Sequence, residues 1–107
     1  MRLIGFLAFP SLVWACTVTA QELPGDPAAG ARLAREVCAT CHLVSDDQFN
    51  DPDIGAPTFF EVVADPAITA LSLRAFLQTP HATMPDLILT QDETDDIISY
   101  ILTLSSE

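Results

Sequence analysis

Two cysteines and a histidine stand together in the pattern C-x-x-C-H, as Cys38, Cys41 and His42. Each thiol at this spacing can add to one vinyl group of a haem, and the adjacent histidine then lies beneath the iron, where it can supply an axial nitrogen. A chain with this motif folds around a large apolar plate. We therefore predict one covalently bound haem c, attached through Cys38 and Cys41, with His42 as an axial ligand of its iron.

Other uses of a C-x-x-C pair fit this chain less well. A structural zinc site needs four ligands, and outside the first twenty residues the only further candidate is His81, with no second pair at finger-like spacing. A thioredoxin-type dithiol belongs to a βαβ context, and strand patterns are absent here. A simple disulfide in an exported protein is the remaining alternative.

Residues 1–20 are typical of a secretory signal. Arg2 gives the positive start, residues 3–15 form an apolar run, and Val18-Thr19-Ala20 is a small-residue cleavage site. The apolar run is shorter than a membrane-spanning helix requires. We therefore expect an exported, periplasmic protein.

The same segment allows a second interpretation, in which Leu12 to Cys16 is a lipoprotein signal and Cys16 becomes a lipidated N-terminus. With cleavage after Ala20, residues 21–25 form a short leader and residues 26–107 form one domain. A domain of this size buries a limited fraction of its surface, so an added core such as a haem would stabilise it.

The chain is strongly acidic. It contains no lysine, and four arginines stand against fifteen acids, which gives a net charge of −11. Nucleic acid and anionic lipid are poor partners for such a surface, because both require basic residues. A redox partner should present a basic or mixed docking patch. Alternatively, the acidity serves only to keep the protein in solution.

The first predicted helix begins at Asp26-Pro27, with aspartate as the N-cap and proline at the first helical position, and it runs to about Val37. Gly30 inside this helix costs roughly 1 kcal/mol relative to alanine. A glycine at such a cost suggests that another backbone or ring packs closely against it.

Further helices are predicted towards the C-terminus. Thr69 can cap a helix over residues 70–78, and Thr90 with Glu93 forms a capping box. The helix that follows has apolar residues at helical spacing, namely Ile97, Tyr100, Ile101 and Leu104. Residues 44–53 are predicted to form a polar loop, and residues 59–64 a short apolar segment. The predicted fold is all-α.

The iron would need a sixth ligand from Met84, from His81 or from neither. Met84 is favoured because Pro85 holds it in an extended conformation on a loop. A thioether favours ferrous iron and raises the reduction potential, whereas a second histidine would give a lower one. Met84 could instead fill a gap in the core.

Together these features resemble a class I cytochrome c over residues 26–105. The attachment motif and Met84-Pro85 match the family, and Gly30 with Ile97 and Tyr100 matches the glycine and the pair that packs across it. The resemblance implies three to five short helices wrapped around one haem. It also implies that the Pro57 carbonyl accepts a hydrogen bond from Nδ1 of His42.

Three departures from the family pattern stand out. The aromatic residue often found four positions before the first cysteine is Ala34 here, and Ala56 separates Gly55 from Pro57. The lysines with which some members of the family dock are absent, so their partners are not transferred to this chain.

The function implied is one-electron transport without enzymatic activity, in a respiratory chain. An apolar pocket should exclude water from the haem, and its predicted members are Phe59, Leu73, Phe76, Leu77 and Leu87. One alternative is a haem enzyme, or a gas- or peroxide-reactive protein, in which Met84 is a labile ligand. Another is a dedicated haem subunit of a dehydrogenase or oxidase complex rather than a free monomer.

Overall fold

The computed structural model describes residues 13–16, 22–79, 83–85 and 87–106. Within these ranges four α-helices follow one another with no strand between them, which confirms the all-α prediction. Their bounds are α1 Pro27–Val37, α2 Phe59–Ala64, α3 Ala70–Gln78 and α4 Gln91–Thr103. Short 3₁₀ turns continue α1 and α4, at Cys38–Thr40 and Leu104–Ser106. None of the described helices is long and apolar enough to cross a membrane.

Each helix begins at a side chain that accepts a hydrogen bond from its first turn. Asp26 caps α1, and Thr69 and Thr90 cap α3 and α4, as the sequence predicted. The helix α2 was expected only as a short apolar segment. It is a helix because Thr58 and Glu61 form a capping box that satisfies two of its unpaired backbone donors.

The first and fourth helices cross at Gly30. A Cβ atom on Gly30 would overlap the backbone carbonyl of Asp96 and lie 2.9 Å from Cβ of Tyr100. This confirms that another backbone packs against the glycine. The three atoms nearest to that Cβ position belong to Asp96 and Tyr100, although the family resemblance pointed to Ile97 with Tyr100.

The core is centred on α4, which packs against α1, α2 and α3. Its middle turn is buried continuously from Ile97 to Ile101. The remaining apolar members of the buried core are Ala34, Cys38, Val44, Phe59 and Leu73. Cys38 of the attachment motif and Phe59 of α2 are therefore buried in the same core as the middle of α4.

A half-buried ion pair joins α3 to α4. Nη2 of Arg74 lies 2.5 Å from Oδ1 of Asp95, and the two side chains are 27% and 21% exposed. Because the pair crosses the helix interface, it fixes α3 and its apolar side chains relative to α4.

Candidate haem site

The motif residues open onto a cavity of about 710 Å³, a volume in the range of cofactor sites. Its walls are mainly apolar and come from α2, α3, α4 and the segment between α2 and α3. The apolar wall residues are Phe59, Val62, Ile68, Leu73, Phe76, Leu77, Ile97 and Ile101. Four of the five side chains predicted to pack on the haem are in this set. The fifth, Leu87, is half-buried and lies outside it.

The 3₁₀ turn after α1 brings the three motif residues together. The backbone N–H groups of Cys41 and His42 both donate to the carbonyl of Cys38, over 3.0 and 2.8 Å. This tight turn directs Cys38, Cys41 and His42 to the same cavity, and all three line it.

Cys38 lies at the buried end of this turn and is 7% exposed. Burial, followed by the nearby Cys41, raises the pKa of the Cys38 thiol to about 11. In the folded polypeptide the sulfur is thus uncharged at neutral pH, as an apolar cavity wall requires.

The ring of His42 is held by one short hydrogen bond. Nδ1 lies 2.6 Å from the carbonyl oxygen of Pro57. Because a carbonyl can only accept, Nδ1 must carry the proton, and the lone pair is then on Nε2. This tautomer is the one in which Nε2 can bind a metal, and a carbonyl partner raises its basicity.

Aromatic rings support this histidine from the core side. The ring centroids of Phe59 and His42 are 5.6 Å apart, and those of Tyr100 and Phe59 are 6.3 Å apart. Both pairs are tilted, in an arrangement typical of favourable aromatic contacts. The histidine is therefore connected through Phe59 to the buried face of α4.

Met84 lies on the same cavity as the motif, together with its neighbours Thr83 and Pro85. Its side chain is half-buried. The other predicted candidate for the sixth ligand, His81, lies outside the described residues.

Polar side chains line part of the cavity and were missed by the sequence analysis. Glu61 comes from α2, Asp65 from the residue directly after it, and Ser72 from α3. The signal that could have found Glu61 is the capping-box pattern that it forms with Thr58, because this pattern marks the start of a helix. In the described part of the chain, no three histidine, cysteine or acidic residues converge on a point that could hold a metal ion.

The residues of this cavity fit a covalently bound haem. Two thiols, an imidazole whose Nε2 is left free by the Pro57 bond and a thioether line the same cavity. The apolar walls would bury a porphyrin. A small all-α domain with this cavity and motif is a c-type cytochrome.

The comparisons with known proteins agree. The family model described as cytochrome c matches residues 27–105. The chain is 36% identical over 84 residues to cytochrome c-552 of Bradyrhizobium diazoefficiens, an alignment that covers 78% of this chain and 79% of that protein. No solved structure matches significantly. The chain belongs to the cytochrome c family, and its cofactor is a covalently attached haem c.

The family and the relative also define the general role of the chain, which is that of a monohaem cytochrome electron carrier.

Proposed function

We propose that this protein is an exported, periplasmic one-electron carrier that does not act as an enzyme, and that His42 and Met84 are the two axial ligands of its iron. The observation that carries the proposal is the hydrogen bond from His42 Nδ1 to Pro57, which leaves Nε2 free for the metal. Met84 on the same cavity supports the second ligand.

When bound, the haem supplies an iron that alternates between the ferric and ferrous states. The chain's own residues hold that site rigid and dry. Phe59, Leu73 and Leu77 exclude water, which favours the less charged ferrous form. Pro57 keeps the His42 ring in one orientation, so both redox states keep the same protein ligand.

The absorption spectrum of the haem-loaded protein tests the ligand pair. The oxidised wild type should show a sulfur-to-iron charge-transfer band, and Met84→Ala should lose it. His81→Ala is the matched control, since it removes the other candidate ligand and should keep the band. A band that survives Met84→Ala, or a low-spin spectrum that is lost only in His81→Ala, would contradict the assignment.

The absence of enzymatic chemistry follows from a closed iron site. If Met84 stays bound, the reduced wild type should take up carbon monoxide slowly or not at all, and Met84→Ala should bind it readily. Rapid uptake by the wild type would instead support the gas- or peroxide-reactive alternative.

The charge of the chain supports a basic or mixed patch on its redox partner. Two of its four arginines are in ion pairs with acids, since Arg35 lies 3.3 Å from Asp47 and Arg74 is paired with Asp95. Electron transfer to a cationic oxidant such as tris(1,10-phenanthroline)cobalt(III) should therefore slow as ionic strength rises, and transfer to ferricyanide should accelerate. The opposite pair of salt dependences would overturn the proposal.

Export rests on the signal-like segment at residues 1–20. Residues 1–12 and 17–21 of this region lie outside the described residues, and Cys16 is exposed. The intact mass of protein purified from a host that matures c-type cytochromes separates the alternatives. Cleavage after Ala20, lipidation at Cys16 and a full-length chain give three different masses, of which the full-length one contradicts export.

A further inference from the structure

Hydrogen bonds hold the backbone of His42 and of the two residues that follow it. The carbonyl of His42 accepts from Gln48 Nε2 over 3.2 Å, and the carbonyl of Leu43 accepts from the N–H of Phe59 over 2.9 Å. Val44 is bound at both ends. Its N–H donates to Gln48 Oε1 over 2.9 Å, and its carbonyl accepts from the hydroxyl of Tyr100 over 2.6 Å.

Gln48 makes two of these bonds, one through the oxygen of its side-chain amide and one through the nitrogen. Since the N–H of Val44 can only donate, the amide oxygen must face it, which fixes the orientation of the amide group. The amide nitrogen then donates to His42 and to the carbonyl of Asn50 over 2.8 Å. The side chain is half-buried, so little water competes for these bonds.

The segment that Gln48 organises connects the two partners of the histidine hydrogen bond. Residues 43–56 lead from His42 to Pro57, whose carbonyl accepts from Nδ1. The far end of this loop is turned by Asp53 and Gly55, both with positive φ. At the near end, Gln48 binds the N–H of Val44 and the carbonyl of His42 itself. Loss of its bonds would let the ring and its acceptor move apart.

We propose that Gln48 is a positioning residue for the iron ligand His42. It acts through the loop, by keeping the Nδ1–H of His42 aligned with the carbonyl of Pro57. A strong hydrogen bond there makes the imidazole a more basic ligand and so favours ferric iron. The inference rests on the proposed role of His42 as an axial ligand.

The test compares haem-loaded wild type with Gln48→Leu, which fills the space but makes none of these hydrogen bonds. We expect the Nδ1–H of His42, followed by NMR in the ferrous protein, to exchange with solvent at least tenfold faster in the variant. We also expect a more positive midpoint potential, because a less basic imidazole stabilises ferric iron less.

Two further variants keep the test decisive. Gln91→Ala, at an exposed position of α4 outside the cavity, should leave both the exchange rate and the potential at their wild-type values. If Gln48→Leu does not fold, Gln48→Glu replaces it, because a carboxylate still accepts from Val44 but cannot donate to His42. Faster Nδ1–H exchange in Gln48→Glu would then support the proposal, and wild-type exchange would overturn it.

A purely structural role has a different signature. Gln48→Leu would then unfold at lower denaturant concentration while its potential and Nδ1–H exchange stayed those of the wild type, and this result would overturn the proposal. Failure of the ligand assignment is separate, since it appears in the wild-type spectrum. Whether or not the ligand assignment holds, the exchange rate of the Nδ1–H reports on the hydrogen bond between His42 and Pro57.

Discussion

The backbone of Gly30 lies directly against the carbonyl group of Asp96, with no space for a side chain between them. The crossing of α1 and α4 is therefore a contact between two backbones. It places Cys38, which directly follows the end of α1, in the same core as the most buried part of α4.

Replacement of this glycine should destabilise the protein. Helix propensity alone would make Gly30→Ala about 1 kcal/mol more stable, so the sign of the change separates the two effects. We expect a loss of about 1–3 kcal/mol, the usual cost of overpacking a tight interface. Urea unfolding of the haem-loaded variant measures it, and a gain in the free energy of unfolding would refute the close contact.

The turn before Pro57 depends on backbone conformation rather than on space. Gly55 has φ of +81°, and a Cβ atom added there would meet nothing within 4 Å. Gly55→Ala should therefore cost about 1–2 kcal/mol through strain alone. Gly55→Asn is the matched comparison and should cost less, since asparagine tolerates this conformation better. Equal unfolding free energies for the two variants would count against the explanation.

The hydroxyl of Tyr100 is the buried partner of the Val44 carbonyl, 2.6 Å away. Tyr100→Phe keeps the ring beside Phe59 and leaves that carbonyl without this donor. We expect a loss of about 1–3 kcal/mol in the free energy of unfolding. The visible spectrum should stay that of the wild type, because the ring contacts remain. An unchanged denaturation midpoint would show that the bond contributes nothing to stability.

The capping box of α2 should weaken in acid. Glu61 accepts from the backbone N–H of Thr58 over 2.7 Å, and this bond, followed by that with the Thr58 hydroxyl, lowers the pKa of Glu61 below 4.5. A lowered pKa in the folded state means that the stabilisation is complete above the ordinary pKa and is lost as the pH falls through the folded one.

Two variants measure this pH dependence. Glu61→Gln can still cap but has no charge to titrate, so its stability should fall less steeply with acidification than that of the wild type. Thr58→Ala should cost about 1 kcal/mol near neutral pH, because it removes the N-cap oxygen. Parallel stability curves for wild type and Glu61→Gln between neutral and acidic pH would rule out the titration of Glu61 as a contributor.

Much of this fold was predictable because its determinants are local. The caps at Asp26, Thr69 and Thr90 bind backbone groups within the first turn of their own helices, so short patterns of sequence specify them. The attachment motif spans five residues, and a single 3₁₀ turn brings its side chains together. The covalently bound haem could therefore be predicted from the local sequence alone.

The short helix α2 was missed for a different reason. Its six residues are too few to show a helical period, and it lies between turn signals on both sides. The readable signal was Thr58 followed three residues later by Glu61, which is a capping-box pattern. Because the helix was not recognised, the two acids that line the cavity from α2 and from the residue directly after it were not recognised either.

Other parts of the site could not be read from the sequence, because they depend on how distant segments meet. The ion pair between Arg74 and Asp95 and the bond from Tyr100 to Val44 both require the helices to be in place. The role of Gln48 depends on the path of a loop without periodicity. A glutamine in a polar segment gives no indication that it binds the backbone of a neighbouring histidine.

The packing of α1 on α4 also bears on the order of events as the chain is made. The cysteines emerge early, but bonds that close the domain join residues 56 and 74 positions apart, such as those from Tyr100 to Val44 and from Gly25 to Ser99. Until α4 has been synthesised, the glycine face of α1 lacks the surface that it packs on, so we expect both thiols to react with alkylating reagents in chains truncated before residue 90. Covalent capture of the porphyrin can thus precede closure of the domain, and the carrier becomes rigid only once α4 is in place.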